Sequence, residues 1–262
     1  MVGNNGPRCA MQRAEELTLL PVMDSPFARK LNAFVALSDS DLSVLSDLYR
    51  RRRRFVAGRD IFHQGQADQA AYILADGWVC SYILLPNGSR QIIDIHIPGD
   101  FLGLRSVLFR TSDHSIVPIT PVEASEVLTA DLIDAFSKTP RLATAVLWAA
   151  SRDQAMVVEH MVGMGRRNAA ERTGHFLLEL AMRLRLVGLG GKTGYDCPMS
   201  QYLLADTLGL SAVHVNRVLR QLRESGYVTF LNGRVTFDDL DGLVAFSDFD
   251  RAYLDHDGPL LK

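Results

Sequence analysis

Residues 199–237 constrain this chain more than any other stretch. They read MSQYLLADTLGLSAVHVNRVLRQLRESG and then YVTFLNGRVTF. The spacing predicts a helix, a tight turn, a second helix and a two-stranded hairpin. Leu204, Leu208, Leu210, Val215 and Val218 recur at helical steps and would share one small core. Ala205 is small where two helices must cross. Gly209 stands where the chain needs a positive φ to turn between them. Ser211 is placed to cap the second helix, because its hydroxyl can accept from an otherwise orphaned N–H. Asn232-Gly233 lies between alternating apolar runs at 227–231 and 234–237, which favours a type I′ hairpin turn.

In that arrangement His214, Asn216, Arg217, Arg220 and Arg223 occupy non-core positions of the second helix. They make a donor-rich surface of a size that fits the major groove of DNA. The plainer alternative is an αα-hairpin packed in a larger core. It would not require a small crossing residue, a turn glycine, a cap and a hairpin wing to fall together in one window.

The window resembles the DNA-binding domain of the Crp/Fnr family of bacterial transcription regulators. The resemblance spans roughly residues 27–237 and is most specific over 208–226. It implies an α+β fold: a cyclic-nucleotide-binding-like β-roll, a long dimerisation helix and a C-terminal winged helix-turn-helix. The expected division is a leader at 1–25, a β-roll sensor at 26–138, the dimerisation helix at 139–165, and the DNA-binding domain with an acidic tail at 166–262.

Phosphate contacts give affinity and base contacts give sequence preference. Ser200 and Gln201 open the first helix of the motif, where exposed N–H groups can hold a phosphate. The wing tip, Asn232, Gly233 and Arg234, is placed to touch another. Base contacts are expected from Ala212, Val213, Asn216 and Arg217, and Ser211, His214 and Arg220 complete the set. Arg217 is the foremost reader, since a guanidinium can donate twice to guanine O6 and N7. The family often has a glutamate at the place of Val213. Here Ala212 and Val213 can sense only a thymine methyl, so the family's usual half-site sequences do not carry over.

The net charge of −2 means that DNA binding must come from a local basic face. Cys9, Cys80 and Cys197 are odd in number and far apart. They support neither a disulfide framework nor a zinc knuckle, and a reducing cytoplasm is the expected compartment. One N-terminal cysteine cannot supply the four thiolates of the iron–sulfur cluster that some family members carry. No apolar run is long enough to span a membrane, and the N-terminus lacks the apolar core of a signal peptide.

Two short amphipathic helices are expected at 27–37 and 39–49, the second capped by Ser38 or Ser40. Five consecutive arginines follow at 50–54. A charge run is usually a solvated face, and the sharper reading is an anion-facing patch. Strands are expected at 71–74, 78–85, 91–97 and 122–128, with Asn87-Gly88 as a hairpin turn. Ile93, Ile95 and Ile97 alternate with Asp94 and His96, as in a half-buried strand.

A long helix is predicted over 139–164, capped by Thr139 with Pro140 at its first position. Leu142, Val146, Ala149, Asp153, Met156, His160 and Gly163 follow alternating steps of four and three. That is a heptad seam, expected to pair with a second copy, the alternative being a stripe packed on the chain's own β-roll. A hinge is expected at 165–168, a connector helix at 169–186 and a flexible loop at 188–194. The Asp-rich tail at 238–257 would point away from DNA.

The family's nucleotide cassette opens with a Gly-Glu and continues to an Arg-Ser or Arg-Thr. Residues 99–103 (GDFLG) match its entry. Leu104 then stands in place of the glutamate, and Asp113-His114-Ser115 stands in place of Arg-Ser. An aspartate there would repel a phosphate, and Arg105-Ser106 comes too early. Ordinary cyclic-nucleotide binding is therefore not expected. Gly103, Leu104, Arg105, Ser106, His114 and Ser115 would line a pocket for an unidentified small-molecule effector. Two rivals share the coarse pattern: a cyclic-AMP-responsive regulator, and a cupin-like metal enzyme using His63, His96 and His114. The three histidines match no metal spacing. No cofactor and no enzymatic activity are expected. The expected partners are palindromic duplex DNA, a second copy of the chain and RNA polymerase.

Overall fold

The computed structural model describes residues 24–67 and 70–254. Residues 1–23 of the expected leader, with Cys9, and the last aspartates of the tail lie outside the described residues, while Ser25 caps the first helix.

Helices α1 (Pro26–Asn32) and α2 (Asp39–Leu48) open the fold. Ser38 caps α2 and forms a capping box with Asp41. Seven strands follow: β1 (Arg52–Phe55), β2 (Ala71–Asp76), β3 (Val79–Leu84), β4 (Arg90–His96), β5 (Phe101–Leu102), β6 (Ser115–Pro118) and β7 (Val122–Val127). They form two antiparallel sheets, ordered β1-β7-β2-β5 and β4-β3-β6. Phe62, Leu74, Val79, Leu102, Ile116, Val122 and Ala124 fill the space between the sheets. Helix α3 (Thr129–Lys138), which the periodicity did not reveal, leads into the long helix α4 (Pro140–Arg166).

The isoleucine alternation is modified by a bulge. Asp94 pairs with Ser81 and Ile92 with Tyr82, leaving Ile93 as the extra residue. The buried set is therefore Ile92, Ile95 and Ile97, not Ile93, Ile95 and Ile97.

The arginine run is neither a free patch nor an unpaired one. Residues 52–54 belong to edge strand β1, opposite Glu123 and its neighbours on β7. Arg50 pairs with Asp47, Arg51 with Asp131, Arg52 and Arg54 with Glu123, and Arg53 with Glu126. Exposed pairs of this kind add little to stability, because water screens them and ordering two long side chains costs entropy. Their effect is to neutralise the run and to blunt a sheet edge with charge.

The long helix corrects the expected seam. In the single protomer Leu142, Val146, Ala149, Met156 and Gly163 are buried, the first three against α1, α2 and the outer face of the β1-β7-β2-β5 sheet. Asp153 faces Lys30 at 3.6 Å and His160 faces Glu179 at 3.0 Å. These seven residues thus form the inward stripe. A second stripe with the same four-three alternation, Leu147, Ser151, Gln154, Val158, Met161 and Gly165, runs along the exposed face. Leu147 and Met161 are 67% and 61% exposed, large values for apolar side chains.

Arg167 is extended, and Asn168 caps connector helix α5 (Ala169–Leu186) with a capping box to Glu171. The hinge therefore falls at Arg167-Asn168. Strand β8 (Gly194–Asp196), which starts at the last residue of the expected loop and was not itself anticipated, joins the wing, followed by α6 (Gln201–Leu208), α7 (Ala212–Glu224), β9 (Val228–Leu231), β10 (Arg234–Phe237) and α8 (Leu240–Phe246). Helix α5 is buried almost all round. Phe176, Leu177, Leu180 and Leu184 belong to one apolar cluster that includes Trp78, Ile92, Ile95 and Ile97 of the β-roll and Leu204, Val215 and Val235 of the C-terminal domain. One core therefore runs from the second sheet into the DNA-binding domain. Burying each large side chain in it contributes about 1.5–3 kcal/mol.

Candidate nucleic-acid interface

The first helix of the motif starts where Ser200 accepts from the Leu203 N–H at 3.2 Å. Gly209 ends it with φ 62°, a conformation costly for any residue with a Cβ. Ser211 then accepts from the His214 N–H at 3.2 Å and starts α7. Val215, Val218 and Leu222 anchor α7 in the core. Ala212 sits one helical step before Val215 and packs its methyl on that core. Part of its surface stays accessible. Its neighbour Val213 points outward and is 82% exposed.

Asn216, Arg217, Arg220 and Arg223 line the exposed face of α7. Among the described residues Arg217 has no hydrogen bond or ion pair, so its guanidinium is free to donate. Arg220 approaches only Glu224, at 4.0 Å. The Asn216 side-chain amide donates to Gln201 Oε1 at 3.2 Å. That bond ties the reading helix to the start of α6, so one expected base reader and one expected phosphate contact are held in fixed relation. Tyr202, beside Gln201, is 74% exposed and was not anticipated; an aromatic at the start of α6 carries no local signal.

The wing turn has Asn232 at φ 52° and Gly233 at φ 73°, the signs that a type I′ turn requires. Arg234 is held by Asp196 of β8 at 2.7 Å, which aligns the wing but occupies part of that guanidinium.

The sensor side shows why a cyclic-nucleotide phosphate is a poor fit. Gly103 (φ 67°) leads into a 3-10 turn at Leu104–Val107. Leu104 packs toward the α1–α4 core rather than offering a carboxylate. Arg105 is paired with Asp113 at 3.2 Å, and Asp113 also bonds His114 Nδ1 at 2.6 Å. The backbone of Ser106 lies in the same turn. Ser115 accepts from the Gln64 N–H at 2.9 Å. Burial pushes the His114 imidazole below its ordinary value despite Asp113 beside it. The groups that would meet a phosphate are thus satisfied by one another. No cluster of three metal-ligating side chains occurs among the described residues, and none of their helices is long and apolar enough to cross a membrane.

Sequence reasoning missed the charges between the domains. Asp100 of the GDFLG turn accepts from Lys30 at 2.7 Å and Arg183 of α5 at 2.9 Å. Arg183 also donates to the Ile95 carbonyl at 2.7 Å and faces Asp94 and Glu179. Burial alone would raise the Asp100 carboxyl, but Lys30 and Arg183 hold it well below the usual carboxylate range. At the hairpin of the same sheet, Arg90 pairs with Asp206 of α6 at 2.7 Å, and Gln91 donates to the Asp206 carbonyl at 2.9 Å. Only the glycines around Asp100 gave a signal, and it pointed to a ligand cassette.

Comparison with known proteins agrees with this geometry. Residues 52–139 match the family model of the cyclic nucleotide-binding domain, and residues 171–246 match that of the Crp-like helix-turn-helix domain. The nitrogen fixation regulation protein FixK of Bradyrhizobium diazoefficiens is 32% identical over 190 residues, covering 72% of this chain and 78% of that protein. FixK of Rhizobium meliloti is 30% identical over 179 residues, covering 68% and 77%. The solved structure of FixK2 from Bradyrhizobium japonicum superposes with a TM-score of 0.67 at 26% identity, covering 74% of this chain and 96% of that one.

Proposed function

This chain belongs to the Crp/Fnr family of transcription regulators, and on that footing we propose how it reads DNA. It is a DNA-binding regulator with a sensor domain of the cyclic-nucleotide-binding type. Two copies pair along the outward stripe of α4 that contains Leu147, Val158 and Met161. Each presents its α7 to one half of an inverted repeat, with half-sites about one helical turn apart. Arg217 reads a base, Asn216 an adjoining base or phosphate, and Ser200, Gln201 and the wing at Asn232–Arg234 hold the backbone. The sensor does not take cyclic AMP in the family's usual way. Any effector near Gly103–Ser115 must compete with the Arg105–Asp113–His114 set. The protein acts in the cytoplasm, where RNA polymerase is its partner at promoters.

The free, exposed guanidinium of Arg217 on an anchored helix carries this reading. Its test is selection of a preferred duplex from a random pool, followed by titration of that duplex with the parent protein and with Arg217→Ala. The expected loss is about 1–3 kcal/mol of binding free energy, with relaxed preference at one base pair in each half-site. Unchanged affinity and preference would refute the role of Arg217.

A further inference from the structure

The matched helix-turn-helix family model ends at residue 246, yet the chain continues in a defined path back to the hinge. Ser247 is fully buried, and a Cβ at Gly174 would collide with its Oγ, so α8 and α5 meet closely here. Asp248 then takes φ 47°, a left-handed conformation uncommon for a non-glycine residue, and reverses the chain. Its carbonyl lies 3.5 Å from Arg167 Nη2, at the hinge itself. The Asp250 carboxylate accepts from the Ala252 N–H at 2.9 Å and starts a 3-10 turn at Arg251–Leu254.

That turn packs on both α4 and α5. Leu254 is buried. The Tyr253 hydroxyl donates to Glu179 Oε2 at 3.0 Å, and its ring stacks on His175 at 5.8 Å with an interplanar angle of 12°. Phe249 meets the same imidazole edge-on at 4.9 Å. Glu179, fully buried in α5, also takes His160 of α4 at 3.0 Å. One carboxylate thus joins the long helix, the connector helix and the C-terminal segment.

We propose that residues 248–254 form a latch across the hinge and that Tyr253 is a positioning residue for DNA recognition. By bonding Glu179 opposite His160, it fixes α5, and with it the reading helix, relative to α4. The reading face stays open in this state, because Val213, Asn216 and Arg217 are exposed while the latch is seated. The latch therefore supports operator binding rather than blocking it. Two reading helices must meet successive grooves at a set separation, and a loosened hinge costs that match. Binding to random DNA needs no such match and is left unchanged.

The proposal rests on the DNA-reading role given above. Its test uses the full chain as the parent protein, Tyr253→Phe and Tyr253→Ala. Each is titrated against the duplex selected by the parent and against a random duplex of equal length. Circular dichroism melts establish that each variant is folded. The expected result is a loss of about tenfold or more on the selected duplex for Tyr253→Ala, no change on the random duplex, and an unchanged salt slope. Tyr253→Phe keeps the ring stacking and loses less. Equal losses on both duplexes, or unchanged or tighter operator binding by Tyr253→Ala, would overturn the latch. A parent protein that selects no sequence would instead overturn the DNA-reading role.

Discussion

Asp100 and Arg183 face each other at 2.9 Å across the boundary between the β-roll and the DNA-binding domain. Both are buried, and each has a further buried partner, Lys30 for Asp100 and Glu179 for Arg183. The Gly-Asp turn that opens the family's nucleotide cassette is here bonded to the connector helix α5, on which the reading helix α7 packs. A displacement of that turn would disturb both Lys30 at 2.7 Å and Arg183 at 2.9 Å.

Removing one partner of a buried ion pair leaves the other desolvated and unpaired. Asp100→Ala is expected to destabilise the fold by about 3–5 kcal/mol, because it takes the nearest carboxylate from both buried cations and leaves Lys30 only Asp153 at 3.6 Å and Arg183 only Asp94 at 3.4 Å and Glu179 at 3.6 Å. Urea unfolding measures it. A shift under about 1 kcal/mol would mean that water or another side chain already serves these cations.

The inward and outward stripes of α4 give opposite results when altered. Met161→Glu on the outward stripe is expected to yield a folded monomer in analytical ultracentrifugation. Met156→Ala on the inward stripe is expected to keep the dimer and lower stability by about 2–5 kcal/mol. The reverse pattern would return the pairing seam to the inward set.

Stability falls on the acid side of neutrality through His175. Burial first, and then Arg167 beside it, lower its imidazole to about 4. The unfolded side chain titrates near 6.5. Between these values the unfolded chain binds a proton that the folded chain refuses, so stability drops as pH falls from about 6.5 toward 4. His114, also lowered, acts in the same direction. His160 acts in the opposite sense and in another window: Glu179 outweighs burial and raises it, so its contribution is full below about 6.5 and fades as pH rises through its folded value. Unfolding free energies from urea titrations are expected to be lower at pH 5 than at pH 7 by up to about 2 kcal/mol through His175, less what His160 returns, and the drop is expected to be distinctly smaller in His175→Asn. The same pH dependence in the parent protein and in His175→Asn would remove the buried neutral imidazole from the account.

The DNA-binding motif was legible because its signals are local. Ser200, Gly209, Ser211 and Asn232-Gly233 each act within four residues of themselves, and each took the conformation its type predicts. The long helix was legible as a helix but not in its orientation. Two stripes with identical four-three steps lie on it, and periodicity cannot say which meets the β-roll. The arginines at 50–54 revealed a charge run, while the acids that neutralise the strand lie some seventy residues away at Glu123 and Glu126. Asp100, Arg183 and Tyr253 were invisible as a group, because each gains its role only from a partner on another element. The bulge at Ile93 inverted one step of an otherwise correct strand pattern.

The apolar layer that passes without interruption from Trp78 and Ile95 through Leu177 to Val215 makes sensor and reader a single melting unit. A fragment cut at the hinge would bare the faces of Ile92, Ile95 and Ile97 on one side and of Phe176 and Leu180 on the other, and both halves would tend to aggregate. A single step in a thermal scan is the expected consequence, with sensor and reader unfolding together.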